Sequence, residues 1–399
     1  MKRVLFVAYG SGHIKMLIPV AQALQASGRA QPVVLALTTA APVARAAKLD
    51  VVQFKDFVQP GDESALVRGR QLVQDLGGAV GDPDESAAYL GLSYADLEAD
   101  LGTTAAEAEY RRRGRQAFLP VRTLTRVLQV LRPNVVVATN APRGERAAIV
   151  AAGRLGLPAL CVVDLFAIDE VRWIGQAGYA DRICVLNSAV RDFLITAGRR
   201  PDEVVETGNP GFDALNAPDA IAAGRRWRQR RGWGDRRVLL WPTQVEPAVH
   251  PFDGRPGDPT LPGRTLQQLV QWTLAQKDAV LCIRPRAGEA PPKVPAHERI
   301  VITGQDMPLP ALLHACDVVV TLTSTVGLEG HLAGCRVVQV TGSVFDEAMP
   351  LLRYGIADAA TSVQNLPAAL DRWATTPRRR AQNLTPATQR VLSQITAFL

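Results

Sequence analysis

Paired cysteines are missing from this chain. Its five cysteines stand singly in or beside apolar runs, and no two form a C-x-x-C pair. A disulfide framework or a thiolate metal site of the usual spacing is therefore not encoded. An odd number of cysteines in apolar surroundings suits a reducing compartment. Long hydrophobic runs are missing too. No stretch is long enough to cross a bilayer, and the first apolar run stops at Tyr9 and Gly10, too early for a secretory signal. The expected location is the cytoplasm. Aromatics are only 6% of the residues, and the arginine clusters have none interleaved except Trp227 and Trp233. With no recognisable nucleic-acid module either, nucleic acid is not an expected partner.

What is present suits two ordinary domains. The 399 residues are 47% hydrophobic and 21% charged, which is ample for buried cores. The net charge is +7, carried mostly by arginines clustered at 111–113, 225–231 and 378–380. Nucleotide phosphates, lipid-linked phosphates or peripheral contact with an anionic inner membrane fit that charge. Solvated helix faces are the plainer reading of each cluster.

The most organised stretch is 316–340, CDVVVTLTSTVGLEGHLAGCRVVQV. A β-branched run at 318–320 is followed by a small-residue turn, a helical segment and a second apolar run at 337–340. This is the order of a βαβ unit. A helix that starts straight after a buried parallel strand offers free N–H groups and a partial positive charge to an anion. Ser324 and Thr325 can cap it and add hydroxyls. Glu329, one turn further in, would reach a ribose hydroxyl pair. An ordinary capped helix would look the same.

The N-terminus repeats the pattern. A strand at 4–8 runs into Gly10-Ser11-Gly12-His13 and then a helical stretch with Leu17, Val20, Ala21 and Leu24 on one face. His13 falls at the carboxyl edge of the sheet, where open α/β sheets bind ligands. Strands are expected at 32–37, 51–54, 135–138, 159–164 and 182–187. The turn after 135–138 carries Asn140, Arg143 and Glu145 to the same edge as His13, and Asp164 ends the next strand there. Between residues 61 and 130 strand signals vanish, and helices are expected over 63–76, 94–101 and 104–130. The second half reads as strands at 238–241, 280–284 and 300–303, with a Pro- and Gly-rich loop over 247–263. The tail should form an amphipathic helix capped by Thr385, with Pro386 as its first residue.

Strand–GSGH–helix with a following proline resembles the N-terminal motif of GT-B nucleotide-sugar glycosyltransferases. So do STVGLE at 324–329, VETGNPGFDAL at 205–215, VLLWPTQ at 238–244 and CIRPRAGE at 282–289, in that superfamily's order and spacing. The nearest resemblance is to bacterial enzymes that build surface polysaccharides and glycolipids. It implies two Rossmann-like α/β domains facing a central cleft. Residues 1–210 would form the acceptor side with a helical insertion at 61–130, residues 211–380 the donor side, and 381–399 a helix crossing back.

The resemblance also implies roles. Gly12, Thr243, Gln244, Arg284, Arg286, Ser324, Thr325, Val326, Gly327 and Glu329 would meet the donor, with Asp346 and Glu347 on the sugar hydroxyls. Related sequences carry histidine where Arg286 stands, and an arginine there would instead grip a phosphate. Asn140, Arg143 and Tyr110 would meet the acceptor, unless the insertion only packs. His13 would be the base, with Asp164 and Glu145 as alternatives, unless it only caps its helix or faces a phosphate. Asp82-Pro83-Asp84 has the letters of a metal-binding D-x-D but lies in the helical stretch, so no metal and no cofactor are expected.

The function so implied is transfer of a sugar from a nucleotide-sugar, a UDP-sugar first and a CMP-sugar second, to a glycan or lipid-linked acceptor. A hydrolysing nucleotide-sugar epimerase and a non-catalytic nucleotide-binding protein of the same fold are the alternatives.

Overall fold

The computed structural model describes residues 1–10, 12–79, 81–251, 253–286, 288–304, 307–379 and 385–399. Ser11 and Arg380 therefore lie outside the described residues. The chain divides into two compact units, Met1–Gly211 with Thr385–Leu399, and Phe212–Leu384.

The first unit holds β1 (Arg3–Ala8), β2 (Gln31–Ala36), β3 (Asp50–Val52), β4 (Val135–Thr139), β5 (Ala159–Val162), β6 (Arg182–Val185) and β7 (Val204–Glu206). They pair in the order β3-β2-β1-β4-β5-β6-β7, with every pairing parallel. The central strands are buried along their length because helices cover both faces, so they read as continuous apolar runs. The strand order reverses between β1 and β4, which opens a crevice at the carboxyl ends of those two strands. The helix Gly12–Ser27 packs its buried face, including Leu17, Val20 and Leu24, into the core. Val391 and Ile395 of the last helix, Ala387–Thr396, join the same core. That helix starts one residue later than expected. Pro386 is extended at its N-cap position, so Thr385 is not the cap.

The insertion departs further from expectation. Its second helix runs Pro83–Leu101 rather than from residue 94. Asp82 caps it by accepting hydrogen bonds from the Asp84 and Glu85 N–H groups at 2.9 and 3.3 Å, and Pro83 occupies the first turn without cost. The stretch expected as one helix over 104–130 is two, Thr103–Arg113 and Val121–Leu131. It breaks at Gly114, whose φ is +55°, and at Pro120.

The helices Glu63–Asp75 and Pro83–Leu101 cross where Gly69 meets Gly91. A Cβ on Gly91 would lie 2.1 Å from the Ala65 carbonyl oxygen, and one on Gly69 would lie 2.0 Å from that of Ala87. Backbone atoms cannot swing aside as a side chain would. Gly91→Val should therefore lower the unfolding free energy by about 1–3 kcal/mol, read as a lower urea midpoint. An unchanged midpoint would show that the helices do not approach so closely.

The second unit holds β8 (Arg237–Pro242), β9 (Ala279–Arg284), β10 (Ile300–Ile302), β11 (Val318–Thr321), β12 (Arg336–Val340) and β13 (Ala359–Thr361). The order is β10-β9-β8-β11-β12-β13, again with every pairing parallel, and it reverses between β8 and β11. Trp227 and Trp233 pack edge to face, 4.7 Å between centroids, inside this unit's core. Two of the arginine clusters are partly structural. Arg228 pairs with Asp317 at 3.0 Å. Arg378 donates to the carbonyls of Leu313, Cys316 and Ala333. These guanidinium groups satisfy helix and strand ends rather than standing free in solvent. All five cysteines are buried and unpaired.

Candidate functional site

Each switch point carries a polar cluster. In the first unit β1 ends at Ala8, and the chain turns through Tyr9 and Gly10 into the helix that carries His13. A Cβ on Gly10 would lie 1.8 Å from the Thr39 hydroxyl oxygen, so a larger residue there would need the Thr39 side chain to move. His13 shares a 2.9 Å hydrogen bond between Nδ1 and the hydroxyl of Thr139, the last residue of β4. Its Nε2 faces Asp164 Oδ2 at 3.8 Å.

Asp164 is held from several sides. Asn140 donates to its Oδ1 at 2.9 Å, and the Asp164 N–H donates back to the Asn140 side chain at 3.1 Å. Asn209 donates to its backbone carbonyl at 2.8 Å. Glu145 is 1% exposed and accepts from the Tyr9 N–H at 2.6 Å. Burial pushes its carboxyl up, while the His13 and Arg143 charges pull the other way. The Arg143 guanidinium lies 5.3 Å from the Tyr9 ring centroid. Burial also raises Glu170, with the Asp164 and Asp169 charges adding to the shift.

His13, Asn140, Arg143, Glu145 and Asp164 thus converge at the β1/β4 edge. Tyr110 does not join them. It stacks on Phe118 at 5.3 Å and meets Tyr94 edge-on within the insertion. Thr139, Asn209 and Glu170 also belong to the cluster, and no local motif in the sequence marks them.

In the second unit the turn after β11 enters the helix Thr325–Leu332. Ser324 is its N-cap, accepting from the Val326 N–H at 3.2 Å. Thr325 is its first residue, and its hydroxyl lies 3.5 Å from Glu329 Oε1. The Gln244 carboxamide shapes the turn. Its Oε1 accepts from the Leu322 and Thr323 N–H groups at 3.2 and 2.9 Å and from the Thr321 hydroxyl at 3.3 Å. Gln339 braces the far side by donating to the Leu322 and Met349 carbonyls. Gly327 and Gly330 let the helix lie close on the sheet. A Cβ on Gly330 would come 2.5 Å from Val319 Cγ2.

An open cavity of about 340 Å³ sits at this turn, lined by Thr243, Gln244, Arg284, Arg286, Ser324 and Val326 among others. Thr243 donates to Glu289 at 2.5 Å, and Glu289 also holds the Arg286 backbone N–H at 3.1 Å. Arg284 reaches the Met307 carbonyl at 2.7 Å. Glu329 is half-buried. Burial raises its carboxyl to about 7, against a bond from Thr325 and the pull of Arg284.

The acidic pair after β12 has protein partners. Asp346 accepts from the Gly342 N–H at 2.7 Å, and Glu347 is exposed and pairs with Arg255 at 3.1 Å. Glu246, 4% exposed, ties the Ser343 hydroxyl and Val344 N–H to the turn after β8, both at 2.7 Å. Among the described residues, no cluster of three or more His, Cys, Asp or Glu is placed to hold a metal. Nor is any described helix long and apolar enough to cross a membrane.

Comparison with known proteins agrees with this architecture. A family model described as capsule polysaccharide biosynthesis protein matches residues 286–351, which include the capped turn and Glu329. No curated protein matches in sequence. Among solved structures, the S. aureus MnaA–UDP complex is similar over 100% of this chain and 97% of its own, at 12% identity and a TM-score of 0.57. UDP-GlcNAc 2-epimerase from Methanocaldococcus jannaschii is similar over 100% of both chains, at 12% identity and a TM-score of 0.56. The glycotransferase of kitacinnamycin covers 100% of this chain and 94% of its own, at 14% identity and a TM-score of 0.51. The two parallel-sheet α/β domains are those of the GT-B fold.

Proposed function

We propose that this chain is a glycosyltransferase that moves a sugar from a nucleotide-sugar, in the first instance a UDP-sugar, to a glycan or lipid-linked acceptor in surface polysaccharide synthesis. The observation that carries the reading is the capped turn at the β8/β11 switch point. A helix N-terminus, two arginines and a cavity sized for a small ligand meet there. The capsule family match over the same residues supports it, as do the structures described as UDP-bound and as a glycotransferase.

In this reading the diphosphate sits on the Thr325–Leu332 N-terminus, with Arg284 and Arg286 at its oxygens. His13 is the base. Its Nδ1 is hydrogen-bonded to the Thr139 hydroxyl and its Nε2 faces Asp164, which in this reading stabilises the imidazolium formed once the ring takes the acceptor hydroxyl proton. The acceptor oxygen bonds to the anomeric carbon as the bond from that carbon to the diphosphate oxygen breaks. The leaving charge falls on the helix N-terminus.

Glu329 accepts the ribose hydroxyls, and that requires its carboxylate. Because burial raises this carboxyl to about 7, UDP should bind more tightly as pH rises. Between pH 6 and 8 the gain should be roughly tenfold, since only the ionised fraction is competent. Titration calorimetry on Glu329→Gln should give a flat profile. An equally steep profile in that variant would remove the residue from the site.

A second reading is a hydrolysing nucleotide-sugar epimerase. It draws on the carboxyl groups of Glu145, Asp164 and Glu170 gathered near His13 and on the neighbours described as UDP-GlcNAc 2-epimerases. Product analysis separates the two. Incubation of UDP-sugars with and without oligosaccharide acceptors, followed by NMR, should show UDP release that depends on acceptor. Release of a free epimerised sugar without acceptor would favour the epimerase.

A further inference from the structure

Three hydrogen bonds in the second unit converge on one carboxylate oxygen beside the capped turn. β8 and β9 are neighbours in the sheet, so Thr243 and Pro285-Arg286 leave it side by side. The chain then turns back on itself after β9. The Glu289 N–H donates to the Arg286 carbonyl at 3.1 Å, with Gly288 at a φ of +79°. That turn lays the Glu289 carboxylate against Thr243 and Arg286. Its Oε2 accepts from the Thr243 hydroxyl at 2.5 Å, the Arg286 backbone N–H at 3.1 Å and the Arg286 Nε–H at 3.3 Å.

Ordinary loop packing accounts for such a cluster, but two features go beyond it. The first is the charge. Burial alone would raise the Glu289 carboxyl, but the bonds from Thr243 and Arg286 hold it below the ordinary carboxylate range. A fixed anion at the rim of a phosphate-binding cavity repels the ligand, so its presence there is costly unless it also serves binding.

The second is the atom it grips. Glu289 takes the Nε–H of Arg286, and among the described residues no bond engages the two terminal nitrogens of that guanidinium. The Arg286 side chain is 57% exposed and lines the cavity with Ser324 and Val326. Arg284 differs, since its Nη1 is spent on the Met307 carbonyl. A guanidinium is a rigid planar fork. Holding Nε fixes its plane and leaves the Nη1/Nη2 edge, which suits two phosphate oxygens. An arginine held in advance also gives up less rotamer freedom when the ligand arrives.

We propose that Glu289 is a positioning residue that sets the Arg286 guanidinium for a phosphate group at the capped turn. It acts through Nε and does not touch the ligand. That the phosphate belongs to a nucleotide-sugar rests on the reading above; the hold on a phosphate does not.

The test is titration calorimetry of UDP and of inorganic pyrophosphate against the full chain, as wild type, Glu289→Gln, Arg286→Ala and the double variant. Glutamine keeps the shape and can still accept from Thr243, but it has no charge with which to hold Nε. A carboxylate that is only a nearby anion would, once neutralised, let phosphate bind more tightly. One that only braces the loop would cost the same with and without Arg286. Positioning gives a third pattern. Glu289→Gln should weaken both ligands roughly five- to tenfold, Arg286→Ala roughly tenfold or more, and Glu289→Gln should cost nothing further once Arg286 is gone. Should Glu289→Gln fail to fold, Thr243→Val loosens the same carboxylate. Its loss should be smaller and should likewise vanish without Arg286.

A loss confined to proteins that keep Arg286 supports the proposal. It does so with pyrophosphate even where UDP fails to bind, a result that would count against the nucleotide reading alone. UDP binding that Glu289→Gln tightens, leaves unchanged or weakens equally in both backgrounds overturns the proposal and leaves the donor site standing. So does Arg286→Ala that binds both ligands as wild type does. Binding of neither ligand to wild type overturns the proposal together with the donor reading.

Discussion

Replacing His13 with alanine should lower turnover by about two to four orders of magnitude, the usual contribution of a general base, while leaving UDP binding as it is. The separation follows from where the residues lie. His13 belongs to the Met1–Gly211 unit, and the cavity at the capped turn belongs to Phe212–Leu384. Thr139→Val should have a smaller effect. It removes the partner of Nδ1 without removing the imidazole, so orientation suffers while the base survives. Asp164→Asn should fall between them, because the imidazolium loses its counter-charge at 3.8 Å. Assay at saturating donor checks the series. Turnover of His13→Ala within a few-fold of wild type would shift the base to Glu145 or Asp164.

Gln244→Ala should weaken UDP binding by roughly ten- to a hundredfold, which corresponds to one or two lost buried hydrogen bonds. The reason is indirect. The Gln244 Oε1 is the acceptor that holds the Leu322 and Thr323 N–H groups in the turn, and Leu322 is 1% exposed. Without it those donors must find new partners, and the turn that aims the helix N-terminus relaxes. Gln244→Glu separates the parts, since it keeps an acceptor but adds negative charge beside the phosphate site. It should lose some stability, because the Gln244 amide also donates to the Pro242 carbonyl at 3.2 Å, but less than Gln244→Ala, and still lose UDP. Unchanged UDP affinity in Gln244→Ala would show that Ser324 and the helix alone define the turn.

The β11 turn was legible because its chemistry is local. A β-branched run ending in small hydroxyl residues specifies both the buried strand and the cap, and neither depends on distant partners. The His13 turn was legible for the same reason. What escaped was long-range. Thr139 looks like any strand residue until β4 is laid beside β1, and Asn209 reaches Asp164 from 45 positions away. Thr243 and Glu289, 46 positions apart, likewise meet only in the fold.

The helix Pro83–Leu101 lost its first eleven residues in the reading because it is buried on most sides. Such a helix has no polar stripe to set its period. The edge strand β13 is Ala-Ala-Thr, with no β-branched run; its pairing with β12 makes it a strand. The resemblance puts Asp346 and Glu347 on sugar hydroxyls. The structure turns one to the Gly342 N–H and the other to Arg255, while Glu246 does the bracing between those loops.

The most direct test is a thermal-shift panel with UDP, CMP, GDP, CDP and TDP on wild type, Glu329→Ala and Gln244→Ala. A ligand that binds only the folded state raises the melting temperature by mass action. One nucleotide, UDP first, should raise it for wild type and lose most of that effect in both variants. No shift with any of the five, or a shift that both variants keep in full, would contradict a nucleotide-sugar site at the capped turn.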